Sequence, residues 1–348
     1  MTGLLHPTDL RAWRTWHESR HPIRSTVRSL LGRGRGERPA LDLVAPPAAD
    51  ILVCIEATHT SVRSAVASVL SHLPAERTAI LCQPAWVLPS TYAQHTRNSV
   101  TAHDLVDRLP HLRAVLAAGH YTVVGAAGHD AAVAKGADFF ISQHGALTPY
   151  APPLPPESRL LAWSQGDADF WRSGRTDVHT FVTGSQLLWS AGNHRDTAPR
   201  VSTSGPRDRL TYLGQMHGAE LSRSRLASAA AGFCRTHRAT YRPHPSERDK
   251  LSQFTHAAYR RAGITVDAAA QLTDLDGPVV SVFSTGVLEA AAQGREAWVD
   301  FPRPPAWLVE FWERYDMHRF EDVPTPPPAR HDEEPARRIA RILMESVS

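Results

Sequence analysis

The sequence predicts an α/β protein built from two parallel-sheet domains. Short apolar runs alternate with amphipathic helical stretches from about residue 50 onward. Alternation of this kind is typical of parallel strands covered by helices on both faces. The chain has 348 residues, of which 42% are hydrophobic, so it is long enough to bury two cores. We therefore expect two α/β halves rather than one small module.

Residues 1–45 form a basic stretch that we expect to be a helical extension. Eight arginines lie there and outnumber the acidic residues. The apolar residues Trp13, Trp16, Ile23, Val27, Leu30 and Leu31 are spaced as one stripe of a helix. Two interpretations stay open. The helix either packs on the body with a solvated arginine face, or makes a peripheral contact with an anionic membrane surface.

The first α/β half is predicted over residues 46–190, and a linker over residues 191–208. The first strand is expected at Ile51–Ile55, followed by a helix at Ser61–Leu73. Further strands are expected at Thr78–Leu81, Tyr121–Val124, Phe139–Ile141 and Arg159–Trp163. The linker is placed where polar and turn-forming residues interrupt the alternation.

The second α/β half is predicted over residues 209–330, and a final helix lies within residues 331–348. Strands are expected at Leu210–Leu213, Ala239–Arg242, Val279–Phe283 and Ala297–Asp300. Helices are expected at Ser222–His237, Asp249–Ala262, Gly286–Gln293 and about Glu333–Glu345. The two halves therefore follow the same order of elements.

Composition excludes several classes of protein. The net charge of +3 is too small for a dedicated nucleic-acid binder. The three cysteines form no C-x-x-C pair, so neither a disulfide framework nor a zinc site is indicated. Two Asp-x-Asp matches, Asp167–Asp169 and Asp274–Asp276, have no His or Glu at ligand spacing, and we expect no metal. No secretory signal or long apolar run is evident, so we expect a cytoplasmic protein.

A hydroxyl pair follows a buried strand in the second half. Ser284 and Thr285 precede Gly286, and a helix opens there. At the carboxyl edge of a parallel sheet, hydroxyls and first-turn N–H groups favour a phosphate. The alternative is that Ser284 or Thr285 only caps its own helix, with Glu289 as a solvated residue of that helix.

A histidine between two prolines follows another strand of the same half. His244 lies between Pro243 and Pro245, next to Arg242. The prolines restrict the backbone, which presents the imidazole rigidly. Because the carboxyl ends of parallel strands share one edge, His244 and the hydroxyl pair are expected to line one crevice.

The first half offers His144, which follows an apolar run and precedes Gly145. A histidine with an ordinary pKa of about 6.5 suits a general base at neutral pH. We therefore expect His144 to be catalytic or to contact a substrate. Weaker candidates are Glu220 and the loop Glu56–Thr60, each of which follows a predicted strand.

Together these motifs resemble a known superfamily. Over residues 50–320, their order resembles the GT-B transferases, in particular bacterial capsule and teichoic-acid enzymes such as the CDP-glycerol glycerophosphotransferases and the polysialyltransferases. The residues that carry the resemblance are His144-Gly145, Arg242-Pro-His244-Pro and Ser284-Thr285-Gly286 with Glu289. The resemblance implies two Rossmann-like domains that face each other across a cleft.

The resemblance also implies roles for these residues. His144 would be the catalytic base on the acceptor side, and His244 would act in catalysis while holding donor phosphate. The implied donor site consists of Arg242, His244, Ser284, Thr285, Gly286 and Glu289, with Glu289 on the nucleotide ribose.

The implied function is a glycosyltransferase that moves a sugar or related group from a nucleotide-activated donor to a cell-surface polysaccharide or its precursor, without a cofactor or metal. The acceptor would be a saccharide or polyol phosphate, free or lipid-linked, and the protein would lie in the cytoplasm or peripherally on the inner face of the membrane. Three alternatives stay open: a CDP-glycerol-type glycerophosphotransferase, a nucleotide-sugar 2-epimerase, and a non-catalytic nucleotide- or carbohydrate-binding protein.

Overall fold

The computed structural model describes residues 3–20, 41–56, 60–84, 86–197, 210–268, 272, 275 and 277–348. These residues form two compact units. The N-terminal unit runs to Leu187 and also includes His331–Ser348, and the C-terminal unit spans Leu188–Arg330. Each unit contains its own sheet.

The N-terminal unit is built on an eight-stranded sheet with the order β4-β1-β3-β2-β5-β6-β7-β8. Its strands are β1 Leu41–Val44, β2 Ile51–Ile55, β3 Thr78–Cys82, β4 Arg97–Val100, β5 Ala114–Ala117, β6 Asp138–Ser142, β7 Arg159–Ala162 and β8 His179–Val182. All pairings from β3 through β8 are parallel, and β1 runs antiparallel to β3 and β4. The central strands β2, β3 and β5 are buried along their whole length, as expected for a sheet covered on both faces.

Helices cover both faces of this sheet. They are Leu10–Ser19, Thr60–Val66 with the 3₁₀ turn Ala67–His72, the 3₁₀ turn Ser90–Tyr92, Leu105–Arg108, Val123–Lys135, Gln165–Arg172 and Pro335–Ser346. Side chains of β2 alternate between two hydrophobic clusters, with Leu52 in one and Val53 in the other. Ile339 and Leu343 of the final helix lie in the same hydrophobic cluster as Val53, so this helix packs on the N-terminal unit.

The C-terminal unit has a four-stranded parallel sheet with the order β10-β9-β11-β12. Its strands are β9 Thr211–Leu213, β10 Thr240–Arg242, β11 Val279–Ser281 and β12 Ala297–Val299. Its helices are Arg223–His237, Lys250–Arg261, Thr285–Ala292 and Ala306–Arg314, and the helix Gln186–Thr197 leads into it. The predicted α/β class with two sheets is therefore confirmed. The sheet of the C-terminal unit is parallel throughout, whereas the N-terminal sheet is parallel except for the antiparallel pairs of β1, which the sequence did not predict.

Three sequence-based expectations need correction. Tyr121–Val124 is not a strand, because Thr122 caps the helix Val123–Lys135 by accepting a hydrogen bond from the Gly125 N–H at 3.0 Å. The predicted linker begins inside the helix Gln186–Thr197, and its residues 198–208 lie outside the described residues.

The N-terminal extension is helical over Leu10–Ser19, but Leu41–Val44 is a strand rather than part of a helix. Residues 21–40, which hold five of the eight arginines and four of the six apolar stripe residues of the predicted extension, lie outside the described residues. In the part of the chain that is described, no helix has the length and apolar character needed to cross a bilayer.

Candidate functional site

The site in the C-terminal unit is formed by the ends of three adjacent strands. Because β9, β10 and β11 are parallel neighbours, their carboxyl ends emerge at one edge of the sheet. Gln215 follows β9, His244 follows β10 and Ser284 follows β11. The topology thus brings the two motifs of this half to the same edge, as the sequence predicted.

Gln215 joins the loop after β9 to the end of β11. Its buried side-chain oxygen Oε1 accepts hydrogen bonds from the Phe283 N–H at 2.8 Å and from the Ser281 hydroxyl at 3.1 Å. The Ser281 hydroxyl also lies 2.9 Å from the Leu213 carbonyl oxygen. These contacts fix the backbone just before Ser284.

A buried carboxylate joins the loop after β9 to the turn after β10. Glu247 accepts hydrogen bonds from the Tyr241 hydroxyl at 2.8 Å and from the Met216 N–H at 2.9 Å, and it pairs with His256 Nε2 at 3.1 Å. We call these four residues the Glu247 network. The Glu247 N–H also donates to the His244 carbonyl oxygen at 2.8 Å, so the network holds the turn that carries His244.

Close packing around Glu247 requires a glycine beside it. A Cβ atom at Gly214 would lie 2.3 Å from the Tyr241 hydroxyl oxygen and 2.9 Å from Glu247 Oε1. Burial, with a further contribution from Glu247, raises the pKa of Tyr241 above its ordinary value. Tyr241 therefore stays protonated and donates to the carboxylate.

The His244 ring has a defined orientation. It stacks on His217 with ring centroids 3.6 Å apart and planes 17° from parallel. Its Nδ1 accepts a hydrogen bond from the Ser246 N–H at 3.1 Å. In the neutral ring the proton therefore lies on Nε2, and this nitrogen is the hydrogen-bond donor. The sequence prediction for this loop, residues 217–220, selected Glu220 and not His217, although the position of His217 after a strand is the same signal that identified His244.

Ser284 is the N-cap of the helix Thr285–Ala292. Its backbone is extended, and its hydroxyl accepts a hydrogen bond from the Gly286 N–H at 3.1 Å. The capping interpretation thus applies to Ser284. Phosphate binding by Ser284, Thr285 and Gly286 stays a prediction. The Gly286 N–H already donates to the Ser284 hydroxyl and the Val287 N–H donates to the Ser284 carbonyl oxygen, so the positive end of the helix dipole is what this terminus offers an anion. A Cβ atom at Gly286 would lie 2.9 Å from Leu213 Cδ1, so glycine lets the helix start close to β9.

Glu289 lies one turn further along this helix and is partly buried. Burial raises its pKa to about 7, and the positive charges of Arg295 and Arg242 act in the opposite direction. Arg242, at the end of β10, is therefore within electrostatic range of Glu289. Near neutral pH this carboxyl group is present in both protonation states.

In the N-terminal unit, His144 follows β6 and its turn is fixed by the buried residue Gln143. The Gln143 side chain accepts from the Trp163 N–H at 2.9 Å and donates to the Gly145 carbonyl oxygen at 3.1 Å. His144 Nε2 lies 3.4 Å from the Tyr121 hydroxyl oxygen. Burial raises the pKa of Tyr121 above its ordinary value, so its hydroxyl stays protonated beside the imidazole.

The weaker candidates have local contacts. Glu56 accepts from the Val124 N–H at 2.9 Å and so caps a helix, while residues 57–59 lie outside the described residues. A Cβ atom at Gly218 would lie 2.9 Å from Glu220 Oε2, which places this carboxylate against the loop of His217.

Of the two Asp-x-Asp matches, the structure describes only Asp167–Asp169, and the contacts found there include a serine and an arginine. Asp167 accepts from the Ser164 hydroxyl at 3.1 Å, and Asp169 pairs with Arg172 at 2.8 Å. Residues Asp274 and Asp276 lie outside the described residues. Among the residues that the structure describes, no group of three or more His, Cys, Asp and Glu is arranged to hold a metal ion.

Comparison with known proteins gives little similarity. No protein-family model matches the chain, and no curated protein matches it. Among solved structures, the chain is similar to UDP-GlcNAc 2-epimerase from Methanocaldococcus jannaschii, with a TM-score of 0.39 and 12% sequence identity. The alignment covers 70% of this chain and 80% of that chain.

Proposed function

We propose that the chain is a transferase of the glycosyltransferase type and that the phosphate of its nucleotide-activated donor binds at the carboxyl edge of the C-terminal sheet. The observation that carries this proposal is the fixed orientation of His244. Its Nδ1 is engaged by the Ser246 N–H, so Nε2 carries the proton at the strand edge where the Thr285 helix also begins. Donors of this kind at a helix N-terminus favour an anion.

These donors act on the charge that develops during transfer. When the bond to the donor breaks, the leaving nucleotide phosphate gains negative charge. His244 Nε2–H stabilises that charge by about 3 kcal/mol, the order of magnitude for one well-placed donor, and the positive end of the Thr285 helix dipole adds to it. Arg242 adds positive charge at the same edge. In its ionised form Glu289 accepts hydrogen bonds from ribose hydroxyls.

His144 is proposed as the base for the acceptor. An acceptor hydroxyl transfers its proton to the imidazole and forms a bond to the donor's activated carbon or phosphorus, while the bond to the nucleotide phosphate breaks. Base catalysis of this kind contributes roughly 100- to 10,000-fold in rate. The proposed acceptor is a saccharide or a polyol phosphate. Tyr121, 3.4 Å from the imidazole, orients the ring.

A nucleotide panel tests the donor site. Thermal shifts are measured with CMP, CDP, UDP and GDP, and with inorganic phosphate for comparison. A nucleotide present at roughly 100 times its Kd stabilises the folded protein by about 2.7 kcal/mol. We expect at least one nucleotide to raise Tm. His244→Ala is expected to lose about half of that stabilisation or more, because a Kd weakened tenfold leaves about 1.4 kcal/mol at the same nucleotide concentration.

The matched control is His237→Ala. His237 ends the helix Arg223–His237, so it lies at the opposite edge of the same sheet, and its replacement is expected to leave the shift intact. The proposal is wrong if no nucleotide shifts Tm, or if His244→Ala responds like the wild type. Turnover with an acceptor then separates a transferase from a binding protein.

A further inference from the structure

Positive charge is concentrated in one part of the C-terminal unit. Residues 221–265 contain nine arginine and lysine residues and only two acidic residues, although the net charge of the whole chain is +3. Both acids are already engaged. Glu247 is buried in its network, and Asp249 pairs with Arg223 at 3.1 Å. The surface of this segment is therefore strongly basic.

The helix Lys250–Arg261 presents apolar side chains outward on this basic segment. Its inner side is buried through Ser252, His256 and Tyr259, and the Tyr259 hydroxyl donates to the Ala227 carbonyl oxygen at 2.6 Å. On its outer side, Leu251 is 47% exposed and Phe254 is 66% exposed. These two residues are three positions apart and so lie on one face of the helix. Both side chains therefore keep a large part of their apolar surface in contact with water.

Basic side chains surround the two apolar residues along the chain. Arg248, Lys250, Arg260 and Arg261 are all exposed. Within the described ranges none of these four side chains forms an ion pair, so their charges are not neutralised by carboxylates of the unit. We call Arg248, Lys250, Leu251, Phe254, Arg260 and Arg261 the basic-apolar face.

We propose that the basic-apolar face docks on a membrane surface that contains anionic lipid. Anionic headgroups attract the four cations, and the acyl boundary accepts Leu251 and Phe254. A soluble polyanion would satisfy the charges but leave both apolar side chains in water. A lipid surface takes both kinds of side chain, which is why the observations favour it. This inference rests neither on residues 1–45 nor on the proposed catalytic function.

Vesicle co-sedimentation of the full chain tests the proposal. Phosphatidylcholine vesicles with and without phosphatidylserine are the probes. We expect binding only to the vesicles with phosphatidylserine. The double variant Leu251→Ser/Phe254→Ser and the charge variant Arg260→Gln/Arg261→Gln are each expected to lower the partition coefficient about tenfold. Because all four positions are exposed, both variants are expected to keep the circular dichroism spectrum of the wild type.

The control variant is Val323→Ser, which removes an apolar residue of the same unit that is 68% exposed but lies outside the basic-apolar face. It is expected to bind vesicles like the wild type. Absence of binding to anionic vesicles overturns the proposal. So does unchanged binding by the double variant, because another part of the chain would then contact lipid.

Two further results would assign the face to another partner. Binding of soluble polyphosphate that is as tight as vesicle binding and insensitive to Phe254 would make it a polyanion site. Loss of a dimer in the double variant, seen by light scattering without any vesicle binding, would make it a protein interface. Nucleotide binding is measured in parallel, so failure of the lipid proposal is distinguishable from failure of the donor site.

Discussion

Replacement of Glu247 by alanine should destabilise the C-terminal unit more than any surface substitution. The change removes the acceptor for the Tyr241 hydroxyl, the Met216 N–H and His256 Nε2, which lie 2.8, 2.9 and 3.1 Å from the carboxylate. A buried donor left without an acceptor costs about 1–3 kcal/mol. Because the hydroxyl can rotate and the imidazole can change tautomer, we expect a total loss of about 3–5 kcal/mol.

The glutamine variant distinguishes the hydrogen bonds from the bulk of the side chain. In Glu247→Gln the amide oxygen still accepts from the Met216 N–H, and the amide NH₂ donates to the Tyr241 hydroxyl oxygen. We therefore expect a loss of only about 1–2 kcal/mol. Nucleotide affinity should follow the same order, since the network holds the turn that carries His244.

Urea unfolding followed by far-ultraviolet circular dichroism measures these differences as changes in the free energy of unfolding. The control is Glu313→Ala, which removes an exposed glutamate from the helix Ala306–Arg314 of the same unit and should change stability by less than about 0.5 kcal/mol. A loss below about 1 kcal/mol for Glu247→Ala would refute the assignment of a stabilising role to this carboxylate.

Three other substitutions give predictions of defined sign. Gly214→Ala places a Cβ atom 2.3 Å from the Tyr241 hydroxyl oxygen. We expect it to lower the free energy of unfolding, measured in urea, by about 1–3 kcal/mol and to weaken nucleotide binding. A variant as stable as the wild type contradicts this prediction. Gly128→Ala places a Cβ atom 2.3 Å from Cys54 Sγ and should lower the free energy of unfolding of the N-terminal unit. In a double-mutant cycle, the variant Cys54→Ala/Gly128→Ala should recover most of that lost free energy, because the sulfur atom is no longer there. Burial raises the pKa of Glu289 to about 7 in the folded protein. Because the folded state then holds this proton more tightly than the unfolded state, protonation stabilises the fold. This stabilisation is fully present below the unfolded-state pKa and is lost as pH rises through the folded-state pKa. At pH 8 Glu289→Gln should therefore exceed the wild type in unfolding free energy by about 1–2 kcal/mol, with the difference vanishing near pH 4; a difference that does not vary with pH would contradict the raised pKa.

The fold class was predictable because the central strands are continuous apolar runs. Ile51–Ile55 and Thr78–Cys82 are buried over their whole length. Because strands buried on both faces are rich in apolar residues along the whole strand, these two strands are visible in the sequence as apolar runs. Ala114–Ala117 was missed because a short run with two alanines has little strand propensity. The polar strand Arg97–Val100 was missed because its pairing with β1, including the ion pair between Arg97 and Asp42 at 2.5 Å, forms only in the folded sheet.

The placement of the candidate-site residues was predictable where it depends on strand ends. His244 and Ser284 follow predicted strands of one half, and the parallel topology brings those ends to one edge. The supporting contacts were not predictable, because Glu247 and Gln215 acquire their roles from partners on other strands. No spacing in the sequence indicates that Glu247 meets Met216, or that Gln215 meets Phe283.

The most direct test of the central claim is a calorimetric titration of the nucleotide that gives the largest thermal shift into the wild type, His244→Ala and His144→Ala at pH 7. If the C-terminal strand edge holds the donor phosphate, His244→Ala should weaken binding by about tenfold or more, while His144→Ala keeps the wild-type Kd and loses turnover. Equal affinity of wild type and His244→Ala, or a loss of affinity confined to His144→Ala, would contradict the placement of the donor phosphate at His244.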